Sequence, residues 1–214
     1  MTYGECRDMS LHLIHQESIA GVEIPGSYNN QQDYLNKIPG LINAAQMDLA
    51  TTAKPIPAEV MLGDLTYEDK EGSRVYNLPA DLWQRRGSGL LIPRHDYPNG
   101  PIHYERFNQC RMVGNTKLIL FSCLPDNAIL EYFRYPTRLS LTPADTDVLD
   151  NVYEAQEAVP YYVAAHLVMQ DDAFMYATLY NEYTSKKSAL HDRPQTEVSV
   201  VEDVYFGGIY GPWR

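Results

Sequence analysis

The chain has 214 residues, a formal charge of −11, 44% hydrophobic and 21% charged residues, so it can bury a core. Phosphate affinity comes from lysine and arginine, and the 17 present form no run in the sequence, which argues against a nucleic-acid binder. Glu5, Arg7, Asp8 and Glu17 interrupt any signal-peptide core, and no run of about eighteen apolar residues exists to span a membrane.

Thr2-Tyr3-Gly4-Glu5 has the spacing of a capping box, in which the Thr hydroxyl and Glu carboxylate serve reciprocal backbone N–H groups. It predicts a helix over 2–18 with Cys6, Met9, Leu13 and Ile14 as its apolar stripe and Gly21 closing it. Asn30, with Asp33 three positions on, predicts the cap of a second helix over 30–52. Its face is the clearest period in the chain: Tyr34, Leu35, Ile38, Leu41, Ile42, Ala45 and Leu49. Pro55 and Pro57 forbid its continuation.

A strand-rich insertion is expected over 58–136. Val75 to Leu78 reads as a short strand, Asp81 as the cap of one turn holding Leu82 and Trp83, and Leu90 to Ile92 as a short apolar run. The dense turn residues of 95–101 then give way to a period of two. One strand is expected from Ile102 to Val113, a hairpin at Gly114-Asn115, a return strand with Leu118, Leu120 and Phe121, and a third strand from Ile129 to Tyr135. Together these form a three-stranded meander.

Val152, Ala155, Val159, Tyr162, Val163 and His166 share one side of a helix over 152–170, which Pro160 should kink or restart near Val159. A second helix over 172–189 begins at Asp171-Asp172, ends near Lys186-Lys187, and carries Met175, Leu179 and Tyr183, widened by Tyr176 and Tyr180. So short a connection makes the two an antiparallel hairpin. After Pro194 the chain has no core of its own, and its Tyr, Phe and Trp either fold back on the same subunit or dock on a partner by strand addition or aromatic anchoring; docking is the reading adopted.

Catalytic constellations are sparse. His103 and Glu105 have the spacing of a deaminase H-x-E without its P-C-x-x-C, and adjacent strand positions explain them. Asp145, Asp147 and Asp150 lack the glycine and glutamate of an EF-hand and read as helix-capping carboxylates. His166, on an apolar helix face, reads as a satisfied core residue. Cys6, Cys110 and Cys123 are odd in number without a CxxC, and read as reduced, mostly buried thiols of a protein made in a reducing cytoplasm. No catalytic residue, cofactor or metal is assigned. The seventeen tyrosines instead suit subunit interfaces.

The order of these segments resembles the neck adaptor (head-to-tail connector) proteins of tailed bacteriophages. It is carried by 27–34 (SYNNQQDY), 38–43 (IPGLIN), 75–81 (VYNLPAD), 131–139 (EYFRYPTRL), 159–165 (VPYYVAA) and 181–183 (NEY), spread over most of 1–190. The expected fold is α+β: a bundle of about four helices with an inserted antiparallel β meander, one adaptor domain over 1–190, and an extended docking tail over 191–214. The resemblance implies a structural virion protein, not an enzyme, made in the host cytoplasm. It would form a ring in the phage neck, usually of twelve copies, that connects the portal to the next tail or head-closure protein. DNA would pass through its channel without specific binding. The portal or neighbour-subunit contact is expected at Val204, Tyr205, Phe206, Ile209, Tyr210 and Trp213. Two alternatives stand beside it: a head-closure or tail-completion protein of the same particle, and a small cytoplasmic metal-dependent enzyme built on Asp96, His103, Glu105 and Asp147.

Overall fold

The computed structural model describes residues 1–14, 28–70, 72–87, 89–95 and 102–191. Helix α1 (Tyr3–Leu13) starts as expected: Thr2 Oγ1 accepts the Glu5 N–H (3.2 Å) and Glu5 accepts the Thr2 N–H (2.8 Å). Cys6 and Ile14 are buried, but Met9 is 43% exposed and off the stripe. Gly21 lies outside the described residues. Helix α2 (Tyr28–Thr52) begins before Asn30, so Asn30 is inside the helix rather than its cap. The expected face holds: Tyr34, Ile38, Ile42, Ala45 and Leu49 are buried, with Leu35 and Leu41 packed beside them.

A one-turn helix α3 (Tyr153–Gln156) precedes α4 (Val159–Val168), which restarts at Val159 with Pro160 in its first turn, where a missing N–H costs nothing. Asp172 opens α5 (Ala173–His191) by accepting the N–H groups of Phe174 (3.0 Å) and Met175 (2.9 Å). Helix α4 is the hub, packed on α1, α2 and α5. Val159, Pro160, Val163, Ala164, Ala165, Leu167 and Val168 are all buried, as a helix enclosed by three neighbours requires, and its alanines let those neighbours come close. Tyr162 meets Tyr183, while His166 meets Tyr176 and Tyr180, which confirms the antiparallel hairpin.

Between α2 and α3 the described residues form nine strands: β1 (Ile56–Met61), β2 (Tyr67–Lys70), β3 (Ser73–Asn77), β4 (Leu82–Arg85), β5 (Leu90–His95), β6 (Ile102–Phe107), β7 (Cys110–Val113), β8 (Lys117–Leu120) and β9 (Ile129–Arg134). They form two antiparallel sheets, one ordered β1-β9-β5-β6 with β4 also on β9, the other β2-β3-β8-β7. Leu82, Leu90, Ile92, Leu130 and Tyr132 of the first share one apolar core with Tyr76, Leu118 and Leu120 of the second.

The expectation of a helical bundle carrying one small meander is therefore wrong, although the α+β class stands. The expected single strand 102–113 breaks at Asn108-Gln109, and its halves join different sheets, β6 on β5 and β7 on β8. The β7–β8 hairpin forms around Gly114 (φ +58°), but β8 turns to β3 and not to β9. Leu82 and Trp83 lie in a strand on β9, not in a helical turn. Helix α2 stops at Thr52, before Pro55 and Pro57 as expected, and Pro57 sits in β1, an edge strand, where its missing N–H is tolerated. Gly89 (φ +98°) approaches β6 so closely that a Cβ would lie 2.4 Å from the Phe107 carbonyl oxygen, so only glycine fits.

Polar side chains of α2 hold the connector between β9 and α3. Asn43 accepts the Leu139 N–H (2.8 Å) and donates to its carbonyl (3.0 Å), and buried Gln46 accepts the Asp150 N–H (2.6 Å). Arg134, at the end of β9, donates from Nη1 and Nη2 to the two oxygens of Asp150, each at 2.6 Å. The Arg134 hydrogen bonds outweigh partial burial and hold the Asp150 carboxyl down at about 2.

Candidate interaction surfaces

The sheet and helix registers decide which apolar side chains are left uncovered. In the five-stranded sheet Met61, Ile129, Leu91 and Arg106 lie side by side across β1, β9, β5 and β6, and Pro93 and Tyr104 form the next pair along the same face. The opposite face feeds the core, so this one points outward: Met61 is 50%, Ile102 53% and Tyr104 50% exposed. Arg86 and Arg106 flank Glu131 there, at 3.9 and 3.8 Å, while on the other side of β5 and β6 Arg94 pairs with Glu105 at 2.9 Å. The arginines that form no run in the sequence are thus gathered by strand pairing around β4, β5 and β6. The helical side exposes Tyr153 next to Met9 and Tyr161, lining a groove with Glu5, Glu157 and Lys186, and exposes Phe174 where α5 begins.

Many tyrosines are used inside the subunit instead. Tyr162, Tyr176 and Tyr180 pack around His166 along the α4–α5 hairpin, and Tyr183 packs on Tyr162 and Tyr180. Three tyrosine hydroxyls reach carboxylates on other elements, Tyr34 to Asp171 (2.6 Å), Tyr132 to Asp81 (3.3 Å) and Tyr183 to Asp48. The hydrogen bond to Asp171 pushes Tyr34 up to about 12, and burial together with Asp48 raises Tyr183. Burial would raise Asp48, but hydrogen bonds from Lys187 (2.7 Å) and Tyr183 outweigh it and lower the carboxyl. His166 is half-buried with Nδ1 2.8 Å from the Tyr162 carbonyl oxygen, in keeping with a satisfied core residue.

The expected docking residues Val204, Tyr205, Phe206, Ile209, Tyr210 and Trp213 lie outside the described residues, as does Asp96. His103 and Glu105 alternate along exposed β6, whereas Asp147 faces α1, where its carboxylate accepts the Ala144 N–H (3.0 Å). Among the described residues no three His, Cys, Asp or Glu side chains are grouped to hold a metal ion. The carboxylates of Asp145, Asp147 and Asp150 do not serve as the expected helix caps, going instead to Arg7 (2.6 Å), to the Ala144 N–H and to Arg134; the start of α1 is met by the backbone carbonyls of Asp147 and Asp145, which accept the N–H groups of Tyr3 (2.7 Å) and Gly4 (3.1 Å). Of the thiols Cys6 is buried and Cys110 partly so, but Cys123 is exposed, against expectation.

Sequence reading missed the outward sheet face. Its signal was present in Ile102, Tyr104 and Arg106 alternating with His103 and Glu105, a strand with no polar-only side, but which side met the core depended on partners far along the chain. Among the described residues no helix is long and apolar enough to cross a membrane.

No curated protein matches the chain. A model of the SU10 adaptor protein family matches residues 1–202, and the chain belongs to that family of phage head-tail adaptors.

Proposed function

We propose that the protein forms a ring in the neck of a tailed phage that joins the portal to the next tail or head-closure component and lets DNA pass through its channel. The observation that carries this reading is the family match over 1–202. A closed ring requires two different, complementary faces on each subunit, and the outward sheet face and the helical patch at Tyr153 are available for them. The charge of −11 suits a channel that does not hold DNA phosphates. The segment after Pro194 docks on the portal or a neighbouring subunit through Val204, Tyr205, Phe206, Ile209, Tyr210 and Trp213, aromatic and apolar anchors of the kind that dominate interface energy.

Truncation after Pro194 tests this directly. The truncated protein should melt as the full chain does and no longer bind purified portal rings in negative-stain images or by co-sedimentation. Unchanged binding would overturn the docking role, and full-length protein that never forms rings on the portal would overturn the ring.

A further inference from the structure

We propose that the groove between α1, α3, α4 and α5 receives residues 209–214 of a neighbouring copy, with Trp213 as the aromatic anchor and Arg214 set against Glu157. This rests on the ring reading above and names the surface on which that part of the C-terminal segment docks.

The groove is made of two hollows that share Tyr153, Glu157 and Lys186. One, of about 350 Å³, adds Met9 and Tyr161; the other runs on to Leu190, where α5 ends. Tyr153 is 78% and Met9 43% exposed, so an aromatic ring and a thioether stand in water side by side. Lys186 lies over the Tyr161 ring, 5.0 Å from its centroid, and the Glu5 carboxylate accepts the Thr2 N–H at 2.8 Å. Exposed Glu154 and Glu157 therefore set the sign of the rim. Two tyrosines, a methionine and two carboxylates suit an extended segment that carries a large aromatic anchor beside a cation.

Residues 204–214 have that chemistry. They hold Tyr205, Phe206, Ile209, Tyr210 and Trp213 with Arg214 and no acid, in a chain whose charge is −11. They also lie almost wholly beyond the family match, which ends at residue 202. The stretch before them has the opposite balance: residues 192–203 carry Asp192, Glu197, Glu202 and Asp203 against Arg193. That stretch follows directly on α5, and Glu154 and Glu157 at the rim repel it.

The same charges favour a neighbour's groove over the chain's own. Bringing 209–214 back within one subunit closes a loop of about twenty residues and holds its acids beside Glu154 and Glu157. Passing to the next copy avoids both costs, and the length allows it. The 23 residues after His191 span about 75 Å when extended, against a radius of gyration of about 17 Å for a globule of this size.

The test uses the full chain in light form with a benzophenone side chain at position 213, mixed with an excess of isotopically heavy chain, with and without portal rings. Photolysis should join position 213 of light chains to heavy peptides that contain Met9 or Tyr153 to Tyr161. Glu157→Arg or Arg214→Glu alone should weaken subunit association about fivefold, and the two together should restore it to within about twofold, with the melting temperature unchanged throughout. Cross-links confined to light chains, cross-links to other peptides or to the portal, no cross-link, or a double variant no better than the singles would overturn the proposal. Portal binding is scored separately: rings on the portal without the heavy–light cross-link sink this inference alone, and the cross-link without portal binding sinks the portal reading alone.

Discussion

Asp150→Asn isolates the charge that ties the sheet to the connector. The side chain keeps its shape and an acceptor for the Thr137 N–H, which lies 2.7 Å from Asp150 Oδ2, but loses the ionic half of the paired bonds to Arg134. The fall in the Asp150 pKa from 3.8 to about 2 corresponds to about 2 kcal/mol at roughly 1.4 kcal/mol per unit. Both side chains remain about a quarter exposed, at 24% and 25%, and solvent screening reduces the figure to about 1–2 kcal/mol. For a chain of this length that is a drop in melting temperature of about 3–6 °C near neutral pH. Because the folded pKa lies below the unfolded one, the contribution is fully present above about pH 4 and is lost as pH falls toward about 2. Urea titrations of both proteins between pH 7 and pH 2.5 read this out, and their stabilities should converge at the acid end. A variant that melts within about 1 °C of the parent at pH 7, or a gap undiminished at pH 2.5, would refute the assignment of that joint.

Two further predictions rest on burial. Ile42 is fully enclosed in the helical core, so Ile42→Asp should cost several kcal/mol and abolish the cooperative melt; an unchanged transition would mean that the α2 face is misassigned. Burial pushes the Cys6 thiol up to about 12, so a maleimide at neutral pH should label exposed Cys123 rapidly and Cys6 only in denaturant; peptide mapping of equal labelling at both sites would contradict that environment.

The outward face of the five-stranded sheet and the joint at Asp150 share a cause, since both arise where residues distant in sequence are brought together. Leu91 meets Ile129 across β5 and β9, and Gln46 meets Asp150 between α2 and the connector. Neither contact leaves a periodic trace. The helical side was more legible because a helix declares itself within one or two turns: Thr2 and Glu5 cap α1 locally, Asp172 caps α5 locally, and the α2 face repeats over several turns.

The amino-acid sequence by itself determined the starts of α1 and α5, the restart at Pro160, the β7–β8 hairpin and the order of segments that marks a phage adaptor, because each depends on neighbours a few residues away or on order alone. Only the tertiary structure decided that 56–134 is two sheets and not one meander, that β6 and β7 part company at Asn108-Gln109, and which face of the five-stranded sheet is left outward. Strand partners are chosen by the pairing and packing that the whole core permits, and a run with period two says which residues share a face without saying which face meets the core.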